Sequence, residues 1–186
     1  MTLVWELKKE AKKYLELGWS VIPIGKDKKP IISWSDFQMR LPTEKEIDEW
    51  FKNDEVQGIA VVTGKLSGIA VLDIDNLNAF LDLQQQYSLP VTPMVKTHKG
   101  YHLYFAHPDV PEIGYVPKLL PSVELKAGKC CVTLPPSLHP AGTKYEWLPH
   151  RSIFEVKPAP LPEWVFELLG NVQKNKSSQL EEIIKG

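Results

Sequence analysis

The chain has 186 residues, enough for one domain or a compact two-lobed one, and 43% of them are hydrophobic against 24% charged, as in an ordinary water-soluble domain. No apolar run approaches the ~20 residues of a membrane span and the N-terminus lacks a signal-peptide pattern, so the reading is a cytoplasmic protein with no membrane partner. A net charge of −1 excludes a globally basic nucleic-acid surface.

The N-terminus, "MTLVWELKKEAKKYLELG", reads as an amphipathic helix with Val4, Leu7, Ala11, Tyr14 and Leu15 on one side, capped at Gly18. A short alternating strand, "WSVIPIG", follows, then a basic, proline-punctuated loop. In that loop Lys28, Lys29 and Trp34 are either substrate or template contacts, or a solvated loop with one packed tryptophan. Thr43 and Glu46 form a capping box that opens a helix to about Lys52. "GIAVVTG" and "GIAVLDID" are two strands joined by "KLSG" as a hairpin, and "NAFLDLQQQYS" is a helix capped by Asn76 or Asn78. Two short strands surround a Lys-Gly turn in "VTPMVKTHKGYHLYFAHP". Three more lie in "SVELKAGKCCVTLPPSLHPAGTKYEWLP", with turns at "AGK" and "PAGT". "LPEWVFELLGNV" is a helix, and residues 172–186 read as a polar linker entering a short helix. Mixed elements with hairpin-like links predict an α+β fold rather than a doubly wound parallel sheet.

Within this order, "GIAVLDIDNLNAF" places Asp73 and Asp75 on one face of an otherwise apolar strand, about 6–7 Å apart along it. Two carboxylates so close repel and cost desolvation energy, so a divalent cation, a basic side chain or water must compensate them. Two further strands carry polar residues on one face: His102 in "KTHKGYHLYF", and Glu124 with Lys126 in "VELKA". If the three are neighbours, one sheet face gathers three carboxylates, an imidazole and an ammonium. That set suits Mg²⁺ or Mn²⁺, which prefer oxygen ligands, beside a substrate phosphate. Each piece alone also has an ordinary reading, as surface carboxylates, a half-buried histidine and a solvent-facing Glu–Lys pair. From Lys96 to Lys129 five lysines and three histidines face three acids, a locally basic middle that suits phosphate. In "TLPPSLHPAGTKYEW", Ser137 and His139 either donate to phosphate or sugar or meet only water. Gly64 either lets backbone approach a nucleotide or merely forms the hairpin. The adjacent Cys130 and Cys131 build no structural zinc site, and neither GxGxxG nor GxxxxGK[ST] occurs.

Taken in order, "YLELGWSVIPIGKDKKPIISW", "GIAVVTGKLSGIAVLDID", "THKGYHLYF" and "VELKAGKCCVTLPPSLHPAGTKYEW" closely resemble the bifunctional primase-polymerase family of the archaeo-eukaryotic primase superfamily, over about residues 8–165. The family's D-x-D/E motif falls on Asp73 and Asp75. Its small-x-His motif falls on "GYH", with Gly100 where many relatives have serine, and its third acidic motif falls on Glu124. The resemblance implies one catalytic domain over residues 1–171, an αβ module packed on an RNA-recognition-motif-like sheet with the active site in the cleft between. It implies template-directed joining of NTPs or dNTPs on single-stranded DNA template and primer by two Mg²⁺ or Mn²⁺ ions, sometimes beside a fused helicase. Asp73, Asp75 and Glu124 would hold metal, and His102, Ser137, His139, Lys99, Lys126 and Gly64 nucleotide. A metal-dependent nuclease or phosphohydrolase and a non-catalytic nucleotide-binding module are the competing readings.

Overall fold

A computed structural model describes residues 2–185; Met1, with which the predicted first helix opens, and Gly186, last of the predicted tail, lie outside the described residues. In chain order the elements are α1 (Leu3–Glu16), β1 (Val21–Ile24), α2 (Glu44–Trp50), β2 (Gly58–Val62), β3 (Ile69–Ile74), α3 (Leu77–Gln86), β4 (Met94–Lys96), β5 (Tyr101–Ala106), β6 (Gly114–Leu120), β7 (Val123–Ala127), β8 (Cys131–Thr133), β9 (Glu146–Trp147), β10 (Ala159–Pro160) and α4 (Glu163–Lys185). The α+β expectation holds, with antiparallel pairing throughout except at β10, which runs parallel to β5.

Local signals account for the helices. The Thr2 side chain accepts from Trp5 N at the start of α1. At its end Gly18 (φ 83°) lets its own N–H reach Leu15 O and the Trp19 N–H reach Tyr14 O, a Schellman closure. Leu7, Ala11 and Tyr14 form its buried face, whereas Val4 is exposed. Both halves of the Thr43–Glu46 capping box are present in α2, and Asn76, not Asn78, caps α3 through Ala79 N at 2.8 Å.

The strands form two sheets. The first, β1-β2-β8, is antiparallel; the second runs β6-β7-β3-β5-β4-β9. They share a core in which Val21, Ile59, Val61 and Val132 of the first meet Ile69, Val71, Val95 and Tyr104 of the second, with α1 closing it through Leu7, Ala11 and Tyr14. The opposite face of the large sheet, with Leu72, Ile74, Leu103, Phe105 and Leu125, packs against α3 and α4 through Leu83 and Val165. Alternation along β3 thus feeds two cores at once.

Two expectations fail, one on strand pairing and one on where the last helix ends. "GIAVV" and "GIAVLDID" are not a hairpin, because β2 has β1 and β8 on its two edges and leaves none for β3. Only a single bridge, Gly64 to Ile69, joins them before they diverge. Ser67 holds that divergence, its hydroxyl donating to Val62 O at 2.6 Å and accepting from Ser20 N at 3.0 Å. The "AGK" turn likewise carries the chain from one sheet to the other. Residues 172–185, expected as a linker entering a short helix, continue α4 without a break. Strand β6, which contains Pro117, escapes the sequence pattern altogether; Pro is tolerated there because β6 is an edge.

Candidate active site

Strand β3 lies between β5 and β7, and its register puts Asp73 directly opposite His102 on one side and Glu124 on the other. Directly opposed residues point to the same face with Cβ atoms about 4.5–5.5 Å apart. The aspartate, the histidine and the glutamate therefore form a row across three hydrogen-bonded strands. The turn after β3 adds Asp75, anchored by its N–H to Ser122 O at 2.9 Å.

Around this row the side chains pair tightly. His102 Nε2 lies 3.3 Å from Asp73 Oδ1. Lys126 Nζ donates to the other oxygen, Oδ2, at 2.6 Å and lies 3.5 Å from Glu124 Oε2. Tyr115 Oη donates to Glu124 Oε1 at 3.0 Å. Burial alone would raise the Asp73 pKa, but His102 and Lys126 outweigh it and hold the carboxyl far below its ordinary value. Burial would lower Lys126, and Asp73 outweighs that too, keeping the ammonium charged. Asp75 goes the other way: desolvation, then the Asp73 and Glu124 carboxylates, raise its pKa. The His102 Nδ1 atom is buried without a partner.

Asp73, Asp75 and His102 face an open cleft of about 330 Å³. Its other walls come from loops. Lys28 enters from a turn after β1, where it takes a positive φ of 64°. Thr97, His98 and Lys99 come from the β4–β5 turn, and His139 and Tyr145 from the segment after β8. The His98 and His139 rings stack at 4.4 Å between centroids. His98 Nδ1 pairs with Thr143 Oγ1 at 2.7 Å, and His139 Nδ1 accepts from Ala141 N at 3.0 Å. Burial, then Lys28, His98 and Lys99, lower the His139 pKa. The cleft therefore sets two carboxylates against two lysines and three imidazoles, a match for a cation–polyphosphate ligand.

Of the residues expected at a nucleotide site, His102, His139 and Lys99 line this cleft; Ser137, Gly64 and Lys126 do not. The Ser137 hydroxyl is fully buried and spends itself on one residue, accepting from Ile59 N at 2.9 Å and donating to Ile59 O at 3.2 Å. Gly64 sits beside Ile69, at the end of β3 remote from the acids by about 13 Å. There its φ of 116° and the Gly128 backbone, whose Cα lies 3.0 Å from where a Cβ would stand, demand glycine. Glu124 and Lys126 stand on the far side of Asp73 from His102, off the cleft wall. As the side chains stand, no three His, Cys, Asp or Glu among the described residues are grouped to hold a metal ion, and Lys126 bridges Asp73 and Glu124.

Gly100 also has a steric reason. A Cβ there would fall 1.8 Å from Ile74 O, so the turn packs against the end of β3 only with glycine. Sequence reasoning assigned no role to His98, Thr97, Tyr145 or Tyr115. His98 could have been found as part of the basic middle, but nothing in "TKYEW" marks Tyr145.

No curated protein gives a sequence match to the chain. The family model described as bifunctional DNA primase/polymerase, N-terminal, matches residues 11–164. That span takes in every strand and every cleft-lining residue described above, and on this match the chain belongs to the Prim-Pol family.

Proposed function

We propose that the chain is a template-directed nucleotidyltransferase that joins NTPs or dNTPs at the Asp73–Asp75 cleft. The observation that carries this is the row His102–Asp73–Glu124 on adjacent strands, whose His102 and Asp73 open with Asp75 onto a cleft lined by Lys28 and Lys99.

The donor chemistry fits Mg²⁺ or Mn²⁺. Asp73 and Asp75 offer hard oxygens to the same cleft, and among the described residues Asp75 has no basic partner within ion-pair distance. These two would hold metal, with Glu124 a third carboxylate within one strand spacing. When bound, divalent ions supply charge neutralisation of the triphosphate and activation of a primer 3′-hydroxyl. The protein's own groups do the rest. Lys28 and Lys99 neutralise phosphate oxygens from two different loops, and His98 and His139 donate to them. The carboxylate of Asp73 orients His102 through its Nε2 edge. Single-stranded template and primer are the expected partners, held weakly and with strong salt dependence, since the net charge is −1.

Primer extension and de novo synthesis with Mg²⁺ or Mn²⁺ and each nucleotide set test the proposal. Asp73→Ala should lower incorporation by about two orders of magnitude or more, and His102→Ala should mainly weaken nucleotide binding. Full incorporation in Asp73→Ala would refute the assignment. Strand cleavage without incorporation would point to a nuclease, and triphosphate binding without turnover to a regulatory module.

A further inference from the structure

The mechanism above leaves Lys126 unused, although it is the most tightly engaged cation in the site. Its side chain is 19% exposed, and its Nζ bridges Asp73 Oδ2 at 2.6 Å and Glu124 Oε2 at 3.5 Å. Tyr115 holds the other Glu124 oxygen at 3.0 Å from the edge strand β6. Between them, both oxygens of Glu124 are engaged and its carboxylate is absent from the cleft wall. Asp75, by contrast, faces the cleft with no such partner among the described residues.

We infer that Lys126 is a resident cation that stands in for a divalent ion between Asp73 and Glu124, so that Glu124 becomes a ligand only when Lys126 is displaced. This rests on the metal-dependent reading of the cleft. The physical basis is competition for the same carboxylate oxygens. In the ligand-free protein Lys126 neutralises the like charges of Asp73 and Glu124, which lie directly opposite each other across two strands. An incoming ion would meet Asp75, which has no basic partner among the described residues, and would gain Asp73 Oδ2 and Glu124 only by breaking the Lys126 contacts. Lys126 is thus a positioning residue: it acts on the ion through Glu124, and sets the order in which the three acids engage.

The test is Mn²⁺ binding to the whole chain without nucleotide, by calorimetric titration and by the electron-paramagnetic signal of free Mn²⁺. In the wild type, Glu124→Gln should weaken Mn²⁺ only by a field effect, about as far as Lys99→Met tightens it, and by clearly less than the same change costs in Lys126→Met, because Glu124 is not yet a ligand. Lys126→Met should tighten Mn²⁺ by about tenfold or more, since two carboxylates lose their resident countercharge. Adding Glu124→Gln to Lys126→Met should abolish that gain. Lys99→Met, which removes an equal charge from the cleft wall, gives the pure field effect, and its gain should not depend on Glu124. If Lys126→Met fails to fold, Tyr115→Phe carries the same test: the ring is half exposed, only a hydroxyl is lost, and Glu124 is released from one anchor, so Mn²⁺ should tighten in a Glu124-dependent way. Unchanged or weaker Mn²⁺ binding in these variants, or an equal loss from Glu124→Gln in wild type and Lys126→Met, overturns the inference. Asp75→Asn separates the two levels. If it leaves Mn²⁺ binding intact, the metal reading itself falls; if it weakens binding while Lys126→Met gives no gain, only the role of Lys126 falls.

Discussion

Replacing Ser137 with alanine distinguishes a structural hydroxyl from a phosphate ligand. Ser137 Oγ takes the Ile59 N–H, which points toward the β8 side of β2 where the strand partner has ended. In the alanine variant that N–H is left buried and unpaired, at a cost of about 1–3 kcal/mol. The second bond, to Ile59 O, matters less, because that carbonyl also accepts from Leu134 N at 2.9 Å. A net loss of about 2 kcal/mol is expected, which a domain of ordinary stability survives. Urea unfolding followed by tryptophan fluorescence should show the midpoint falling by about 1 M with an unchanged slope. Triphosphate affinity of the folded variant should stay within about twofold of wild type, as for sites without shared partners. An unmoved midpoint together with a loss of about tenfold in nucleotide affinity, some 1.4 kcal/mol, refutes the structural assignment and returns Ser137 to the substrate.

Gly100→Ser should not gain a phosphate contact; the clash with Ile74 O should cost about 1–3 kcal/mol or more in a thermal or urea melt and disturb the acids at the end of β3. Because burial, and then Lys28, His98 and Lys99, hold the His139 pKa below its usual 6.5, an anionic triphosphate that offsets the three cationic neighbours raises it, so binding takes up a proton. Affinity measured by titration should therefore strengthen as pH falls from about 8 to about 6, and His139→Gln should flatten that dependence. Ending the chain after Ser177 removes the exposed Leu180, Ile183 and Ile184 and should change stability by no more than about 0.5 kcal/mol in a urea melt.

The features legible in the sequence are those whose cause is local. The Thr43–Glu46 box and the Gly18 cap each depend on residues a few positions apart, and each appears as expected, whereas Asp75 falls just past the end of β3 and shares the cleft with Asp73 from the turn rather than from the strand face. The meeting of Asp73 with His102 and Glu124 was inferred only by supposing the strands adjacent, and register supplies it. What failed was the choice of partner for a strand whose two faces are both buried. All five residues of β2 are buried and it reads like β3 in composition, so nothing local says that one joins β1 and β8 and the other β5 and β7. Side-chain loyalty was equally invisible: Ser137 and Lys126 look like ligands in one dimension, and only the fold reveals the backbone amide and the carboxylates that already claim them.

The acids and the imidazole of the row are spaced by sheet hydrogen bonds, while Lys28, His98, Lys99 and His139 arrive on separate turns. Chemistry and substrate choice therefore sit on parts of different stiffness. Turns tolerate insertion and exchange far better than the rungs of a central strand. On the proposed reading, a lineage can retune which nucleotide or strand end it accepts by rebuilding the rim, and leave untouched the spacing of the row.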